Sequence, residues 1–457
     1  MQSYDVRIWA ITARKNKDGK VTSYRLRWRV GREEFEETFK KRAQADGLRA
    51  EIVSAQNRGE PFDTLTGRPV SLGRATRDMR WFELACNYVD MRWTEAAANT
   101  RQTIAEALIR VSPVFFNGGR GKPADAEIRS MLRGWAFNSD QRAKGVPEEH
   151  RDAIEWCIRN SLPISVVLDE AKQRELQQAA LVSRGGKKYA ATVARRNRAV
   201  LSHFLSYAVD EKALEANPLR NAKWESMPKG SRSIDPRTVP NPVQARTLLR
   251  AVSEIQRSGP RLEAFFAVMY FAALRPEEAA ALTKDDLNLP KRGWGEIYVS
   301  KAHPHAGKHW TGTGQAREKR GVKARAAGEG RPVPCPPELT ELLHKHIKAY
   351  GDGNSGLLFE GDKGGGIPKI TYTRVWRAAR AAAFTEKAAQ SRLAERPYSL
   401  RHAAVSTWLT AGVDPTTVAR WAGHSVAVLL ETYASCLHGQ DVIARQRVEN
   451  FFGYRRE

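Results

Sequence analysis

Cysteine is scarce in this chain: four among 457 residues, at Cys86, Cys157, Cys335 and Cys436. They stand far apart and form no Cys-x-x-Cys pair, which argues against a disulfide framework or a zinc ribbon and fits a reducing compartment. Long apolar runs are missing as well. The longest, Ala264 to Leu274, is too short to span a bilayer and reads as a buried helix. No apolar signal core opens the chain and no strongly amphipathic basic anchor suits a membrane surface, so a cytoplasmic protein, without a membrane partner, is expected. Familiar ligand motifs are wanting too. Gly364-Gly365-Gly366 is not followed by Lys-Ser/Thr, and Gly118-Gly119-Arg120-Gly121-Lys122 runs into Pro123, so neither is a phosphate cradle. His303, His305 and His309 cluster without a cysteine or carboxylate at ligand spacing, and neither a metal site nor a cofactor is expected. Acid is in deficit: 51 Asp and Glu stand against 75 Lys and Arg, a formal charge of +24. A soluble chain this basic usually meets a polyanion, and nucleic acid is the leading candidate.

The periodicity describes a multidomain chain, mainly α with small β-sheets, of the α+β class. Residues 1–72 are expected to form a three-stranded sheet plus a helix. Val6–Thr12, Ser23–Val30 and Glu33–Phe39 read as strands, with turns at Asn16-Lys17-Asp18-Gly19 and Gly31-Arg32. The middle strand alternates, Leu26, Trp28 and Val30 on one face and Arg25, Arg27 and Arg29 on the other. Ala45, Leu48, Ile52 and Ala55 mark the buried face of the helix that follows. A sheet apolar on one side and arginine-bearing on the other can enter a DNA groove.

From 75 to 228 the sequence is helical, with helices expected over 81–91, 96–111, 148–160, 166–180 and 190–209. The last carries an apolar stripe of Val193, Val200, Leu201, Phe204 and Leu205 beside Arg195, Arg196 and Arg198, a pattern that suits packing and phosphate contact together. Residues 240–457 form a mixed α/β unit. Its short strands, 295–300 and 331–335, flank a basic Gly-rich excursion.

The chemistry concentrates in the last quarter. Tyr398-Ser399-Leu400-Arg401-His402 precedes Gly423-His424 and then Tyr433, while a second arginine stands upstream in Ala273-Leu274-Arg275-Pro276. Ser399 is expected to cap a helix over 400–410, Asp414-Pro415 to start another that Gly423 stops, and Ser425 to cap the helix bearing Tyr433. Arg401 lies in a first helical turn, where the helix dipole disfavours a cation, which points to an anionic ligand. Two arginines can clamp a phosphate through their planar forks, a phenol can attack it, and an imidazole or ammonium can serve the leaving oxygen. Together the groups suit attack of a tyrosine on a DNA phosphodiester, whose phosphotyrosine ester conserves the bond energy.

On these residues the chain resembles the phage integrase family of tyrosine recombinases, by motif over about residues 240–440 and by domain layout more widely. The first arginine of the family is matched by Arg275, with Glu277 and Glu278 after it, the second by Arg401, the Gly-His histidine by His424 and the nucleophile by Tyr433. Where the family most often has a histidine three residues before the second arginine, this chain has Tyr398. A phenol still donates to phosphate there but does not shuttle protons near neutral pH. The family's lysine belongs on the hairpin between the arginines. Lys323, shortly before the strand 331–335, is favoured over Lys319, Lys308 and Lys301. The resemblance implies an arm-type DNA-binding domain at 1–72, a helical core-binding domain at 75–228 and a catalytic domain at 240–457. It implies a metal- and ATP-independent recombinase that cleaves and rejoins attachment sites in double-stranded DNA through a 3′-phosphotyrosyl link, to integrate or excise a phage or other mobile element. A homotetramer on DNA, a directionality factor and a host DNA-bending protein are the further partners it implies. A nicking-closing topoisomerase would share the chemistry, and a DNA-binding regulator would share the fold but have no use for the phenol.

Overall fold

The structure, a computed structural model, describes residues 2–15, 19–64, 67–69, 79–222, 224, 233–255, 257–322, 329–351, 355–437 and 441–452. The chain divides into two compact units, residues 1–96 with 103–228, and residues 97–102 with 229–457. The boundary expected between 72 and 75 lies outside the described residues.

In the first unit the long strand Val21–Val30 pairs on one edge with Glu33–Phe39 and on the other with Val6–Ile8 and Thr12–Lys15. The expected first strand is therefore present but broken around residues 9–11, where the register to the long strand slips by one. Leu26, Trp28 and Val30 point into a core with Ile52, Ala55 and Phe62, and the helix Arg42–Asn57 buries the four residues its periodicity marked, Ala45, Leu48, Ile52 and Ala55. The opposite face is less basic than its arginines suggested. Arg25 pairs with Glu36 at 3.3 Å, Arg27 with Glu34 at 2.6 Å and Arg29 with Asp5 at 3.5 Å. The alternation of the neighbouring strand brings acids to that face.

The helical part of this unit centres on aromatics: Trp81 stacks on Phe115 at 3.8 Å and meets Phe204 edge-on at 4.7 Å. Its helices include Trp81–Trp93, Arg151–Asn160, Glu170–Leu181 and Ala191–Asp210. The helix expected from residue 166 begins later, because Ile164–Leu168 forms a 3-10 turn and the Asp169 side chain caps at the Ala171 N–H. In Ala191–Asp210, Leu201, Phe204 and Leu205 are buried, whereas Arg195, Arg196 and Arg198 are exposed. Asn197, outside the expected stripe, is buried because its amide donates to the Ala180 carbonyl at 2.7 Å. The thiols of Cys86 and Cys157 are pushed up to about 12 by burial.

The second unit is built around Gly259–Phe271, a helix apolar on every side and buried as such helices are. Pro242–Glu254, Pro337–Tyr350 and Tyr398–Thr410 pack against it. A three-stranded antiparallel sheet, Arg331–Cys335 beside Gly295–Val299 beside Leu287–Asn288, closes one side of the core with Ile297, Val299 and Val333. A short hairpin pairs Lys301–Ala302 with Arg320–Gly321. Lys323 lies outside the described residues. Among the described residues no helix is long and apolar enough to cross a membrane.

Candidate active site

The site begins where the central helix ends. Ala273 takes a left-handed φ of +50°, which turns the chain so that Arg275 precedes the short helix Pro276–Ala279. The Arg275 N–H donates to Glu278 Oε2 at 2.8 Å, and its guanidinium donates to Glu278 Oε1 at 2.7 Å. Glu278 is buried, and Arg331, the first residue of its strand, meets it with two parallel bonds of 3.0 and 2.9 Å. Burial alone would raise the carboxyl pKa. Arg331 outweighs that, with Arg275 and Arg401 behind it, and holds the group at about 2.

Arg401 sits in the first turn of Tyr398–Thr410, which starts two residues earlier than a Ser399 cap requires. Pro397 occupies the cap position, and Ser399 is a buried residue inside the helix. The Arg401 side chain is 0% exposed. It donates to the carbonyl of Ala273, to that of Ala422 at 2.6 Å and to His424 Nε2 at 2.8 Å. Burial, then the charge of Arg275, works against its cation, and Glu278 Oε2 stands 3.9 Å away as the compensating anion.

The helix Pro415–Ala422 explains how three arginines come together. Asp414 caps its start at the Thr417 N–H, and Gly423 ends it in a left-handed turn with φ +64°. A helix C-terminus leaves carbonyls without intrahelical partners. Here three in succession each take an arginine: Trp421 from Arg331 at 2.8 Å, Ala422 from Arg401 at 2.6 Å and Gly423 from Arg275 at 2.9 Å. The negative end of the helix dipole favours the same cations.

His424 follows directly. A guanidinium only donates, so Nε2 is the acceptor of the Arg401 bond and the ring proton resides on Nδ1. That Nδ1 is buried with no partner among the described residues. Burial, then Arg401 and Arg275, lowers the imidazole to about 3, so it is neutral.

Tyr433 lies in Val426–Leu437, whose first turn Ser425 caps at the Val428 N–H. Its own backbone leaves helical geometry, at φ −117° and ψ 16°, and the carbonyl before it, of Thr432, accepts from the Ile234 N–H at 3.1 Å. The side chain is 1% exposed and packs with Ala273, Leu409, Val418 and Leu429. Its ring lies 6.3 Å from that of His424, and its hydroxyl is 2.8 Å from His402 Nδ1. Tyr398, one helical turn before His402, meets that imidazole edge-on at 5.0 Å.

Arg275, Tyr398, Arg401, His424 and Tyr433 are thus brought together. The arginines of the sheet and of Ala191–Asp210 belong to the other unit. Glu278, Arg331 and His402 were not singled out by motif. Glu278 is three residues after Arg275, and His402 is one helical turn after Tyr398, the two spacings that place side chains on one face. Arg331 carries no local signal.

Residues 241–438 match the model of the phage integrase family. Solved structures similar to the chain include the Tn1549 transposon integrase in complex with transposon right end DNA, 17% identical with a TM-score of 0.48, over 68% of this chain and 96% of that one. A lambda integrase dimer bound to a COC′ core site is 12% identical, TM-score 0.48, over 94% and 95%. XerH site-specific recombinase bound to difH substrate is 15% identical, TM-score 0.44, over 78% and 96%. No curated protein matches the sequence.

Proposed function

We propose that the chain is a tyrosine-type site-specific DNA recombinase, its residues 241–438 matching the phage integrase family model, and that Tyr433 is its nucleophile, with Arg275, Arg401 and His424 holding the scissile phosphate. The observation that carries this assignment is the buried Arg401–His424 bond of 2.8 Å. It spends the Nε2 lone pair of the imidazole and leaves Nδ1–H as a donor for a non-bridging oxygen beside the Tyr433 ring. Two guanidiniums neutralise the phosphate, and charge-assisted donors preorganised in a water-poor site stabilise the pentacoordinate transition state. Attack by Tyr433 Oη leaves a 3′-phosphotyrosyl link and a free 5′ oxygen. Tyr398 adds a hydrogen bond to the phosphate, and Lys323, placed by its position in the sequence, protonates the leaving oxygen. A 5′ hydroxyl from a second duplex reverses the step and completes the exchange.

The wider reading is that the chain integrates or excises a phage or other mobile element at attachment sites in a host cytoplasm. It acts as a homotetramer aided by a directionality factor and a host DNA-bending protein. Residues 1–72 serve as an arm-type DNA-binding domain, 75–228 as a core-binding domain and 240–457 as the catalytic domain. The exposed Arg195, Arg196 and Arg198 contact phosphates. Arg25, Arg27 and Arg29 do so only by exchanging their present carboxylate partners for the DNA backbone. The last helix, Asp441–Phe452, touches its own chain where Arg447 donates to the Gly412 and Ala411 carbonyls. It leaves Phe451 91% and Phe452 67% exposed, an apolar end suited to a neighbouring protomer.

The test is covalent capture in EDTA. The protein is mixed with plasmid carrying the sequence that flanks its gene, denatured, and compared with Tyr433→Phe. An adduct in wild type that the variant lacks supports the reading; an adduct that survives in Tyr433→Phe overturns it.

A further inference from the structure

Attack by Tyr433 requires its phenolic proton to go somewhere. His424 and His402 stand against its ring, and Tyr398 stands beside His402. His424 cannot accept that proton, because its Nε2 lone pair is taken by Arg401 and its Nδ1 carries hydrogen. Tyr398 is a phenol and accepts no proton near neutral pH. His402 is different. Its Nδ1 stands 2.8 Å from Tyr433 Oη, a hydrogen-bond distance across helices that are 31 residues apart in sequence.

We propose that His402 is the proton acceptor for Tyr433, receiving the phenolic hydrogen on Nδ1 as Oη bonds to phosphorus. The inference rests on the assignment of Tyr433 as nucleophile. In the step, the O–H bond of Tyr433 breaks and the proton moves to Nδ1 of a neutral His402 whose other hydrogen is on Nε2. The Oη–P bond forms and the P–O5′ bond breaks, and the departing oxygen takes its proton from the general acid. On rejoining, the attacking 5′ hydroxyl gives its proton back to the group that acted as general acid, O5′–P forms as P–Oη breaks, and His402 returns its proton to Oη. One imidazole therefore serves as base in cleavage and as acid in ligation.

The surroundings favour this cycle. Burial, then the adjacent Arg401, holds His402 at about 4, so it enters the reaction neutral at any physiological pH. The groups that face it are Arg401 and Tyr398 from its own helix, Tyr433 from the last, and His424 from the turn between them. None supplies a negative charge, so the imidazolium formed on cleavage is unstable and gives its proton back readily. The covalent intermediate is thus poised for ligation rather than for release of a broken strand.

The experiment follows adduct formation on a nicked duplex that traps the wild-type adduct, with wild type, His402→Gln and Tyr433→Phe, from pH 6 to pH 9. Glutamine keeps a hydrogen bond to the phenol but takes no proton. His402→Gln is expected to bind the duplex normally and cleave about 100-fold or more slowly. Its rate should rise about tenfold per pH unit as hydroxide replaces the lost base, where wild type is flat. A variant that cleaves at the wild-type rate, or slowly with a flat profile, overturns the proposal while Tyr433 remains the nucleophile. A wild-type adduct that persists in Tyr433→Phe overturns the underlying assignment and this inference with it. Independently of DNA, nitrogen NMR of the histidine side chains at pH 7 should find His402 with Nε2 protonated and Nδ1 bare, its Nδ1 resonance moving in Tyr433→Phe. A protonated Nδ1 at that pH also overturns the proposal.

Discussion

A Cβ on Gly423 would stand 3.0 Å from the guanidinium carbon of Arg331, and the residue already sits at φ +64°. The same glycine turns its carbonyl to Arg275 at 2.9 Å. One residue without a side chain therefore lets two arginines approach from different segments. Gly423→Ala should cost about 1–2 kcal/mol from the left-handed backbone alone, read as a lower urea midpoint. Adduct formation should slow as well, because Arg275 loses its anchor.

Glu278 is a carboxylate shared by Arg275, Arg331 and Arg401. Glu278→Gln leaves those buried cations without their counterion, and a loss of about 3–5 kcal/mol is expected. The pH dependence follows from the same group. Its folded pKa, about 2, is depressed below the ordinary carboxylate value of 4.5, so its contribution is complete above 4.5 and fades as the pH falls toward 2. Urea titrations of wild type between pH 5 and pH 3 should show that decline, and the glutamine variant should show a shallower one.

His402 and His424 behave as neutral buried bases. Their folded pKa values, about 4 and about 3, lie below the 6.5 of a free imidazole, so the unfolded chain takes up protons that the folded one refuses. Stability is then full above 6.5 and falls as the pH drops, toward 4 for His402 and toward 3 for His424. The slope is up to about 1.4 kcal/mol per pH unit for each group. Urea midpoints from pH 7.5 to pH 4.5 check this, and His402→Gln should flatten the slope.

Arg401→Lys keeps the charge and removes the fork. The carbonyls of Ala273 and Ala422 and the Nε2 of His424 cannot all be served by one ammonium at the end of a flexible stem. Cleavage should fall by about 100-fold or more, with His424 released from its fixed tautomer. The drop in adduct yield and a changed His424 nitrogen shift are the readouts.

Arg195, Arg196 and Arg198 are exposed on one helix, and Arg25, Arg27 and Arg29 are paired with acids. Replacing the first three by alanine should lower the slope of log affinity against log salt by about 2 to 3. Replacing the second three should change it less, because their carboxylate partners are unmasked at the same time. Fluorescence-polarisation titrations on duplex DNA at several salt concentrations separate the two.

The residues proposed to act on phosphate stand out in the sequence because that chemistry demands particular side chains in a particular order. The capping of Asp414, the stop at Gly423 and the cap at Ser425 were legible because these are local backbone events. What escaped was pairing across distance. Arg331 reads as any arginine opening a strand until Glu278, 53 residues earlier, is seen to meet it. The arginines of the first sheet looked like a basic face because alternation in one strand says nothing of Glu34 and Glu36 on its neighbour. Ser399 looked like a cap from composition alone, and the helix starts two residues sooner, with Pro397 at the cap position.

The three carbonyls of residues 421–423 hold Arg331, Arg401 and Arg275 in succession. The spacing between the cations is therefore measured by the peptide repeat, which side-chain motion cannot stretch. That ruler exists only once Pro415–Ala422 has folded onto segments lying far before it in the chain. A nascent or partly unfolded copy has its arginines scattered and its tyrosine unsupported. On the function proposed above, no strand is then broken before the protein is able to rejoin it.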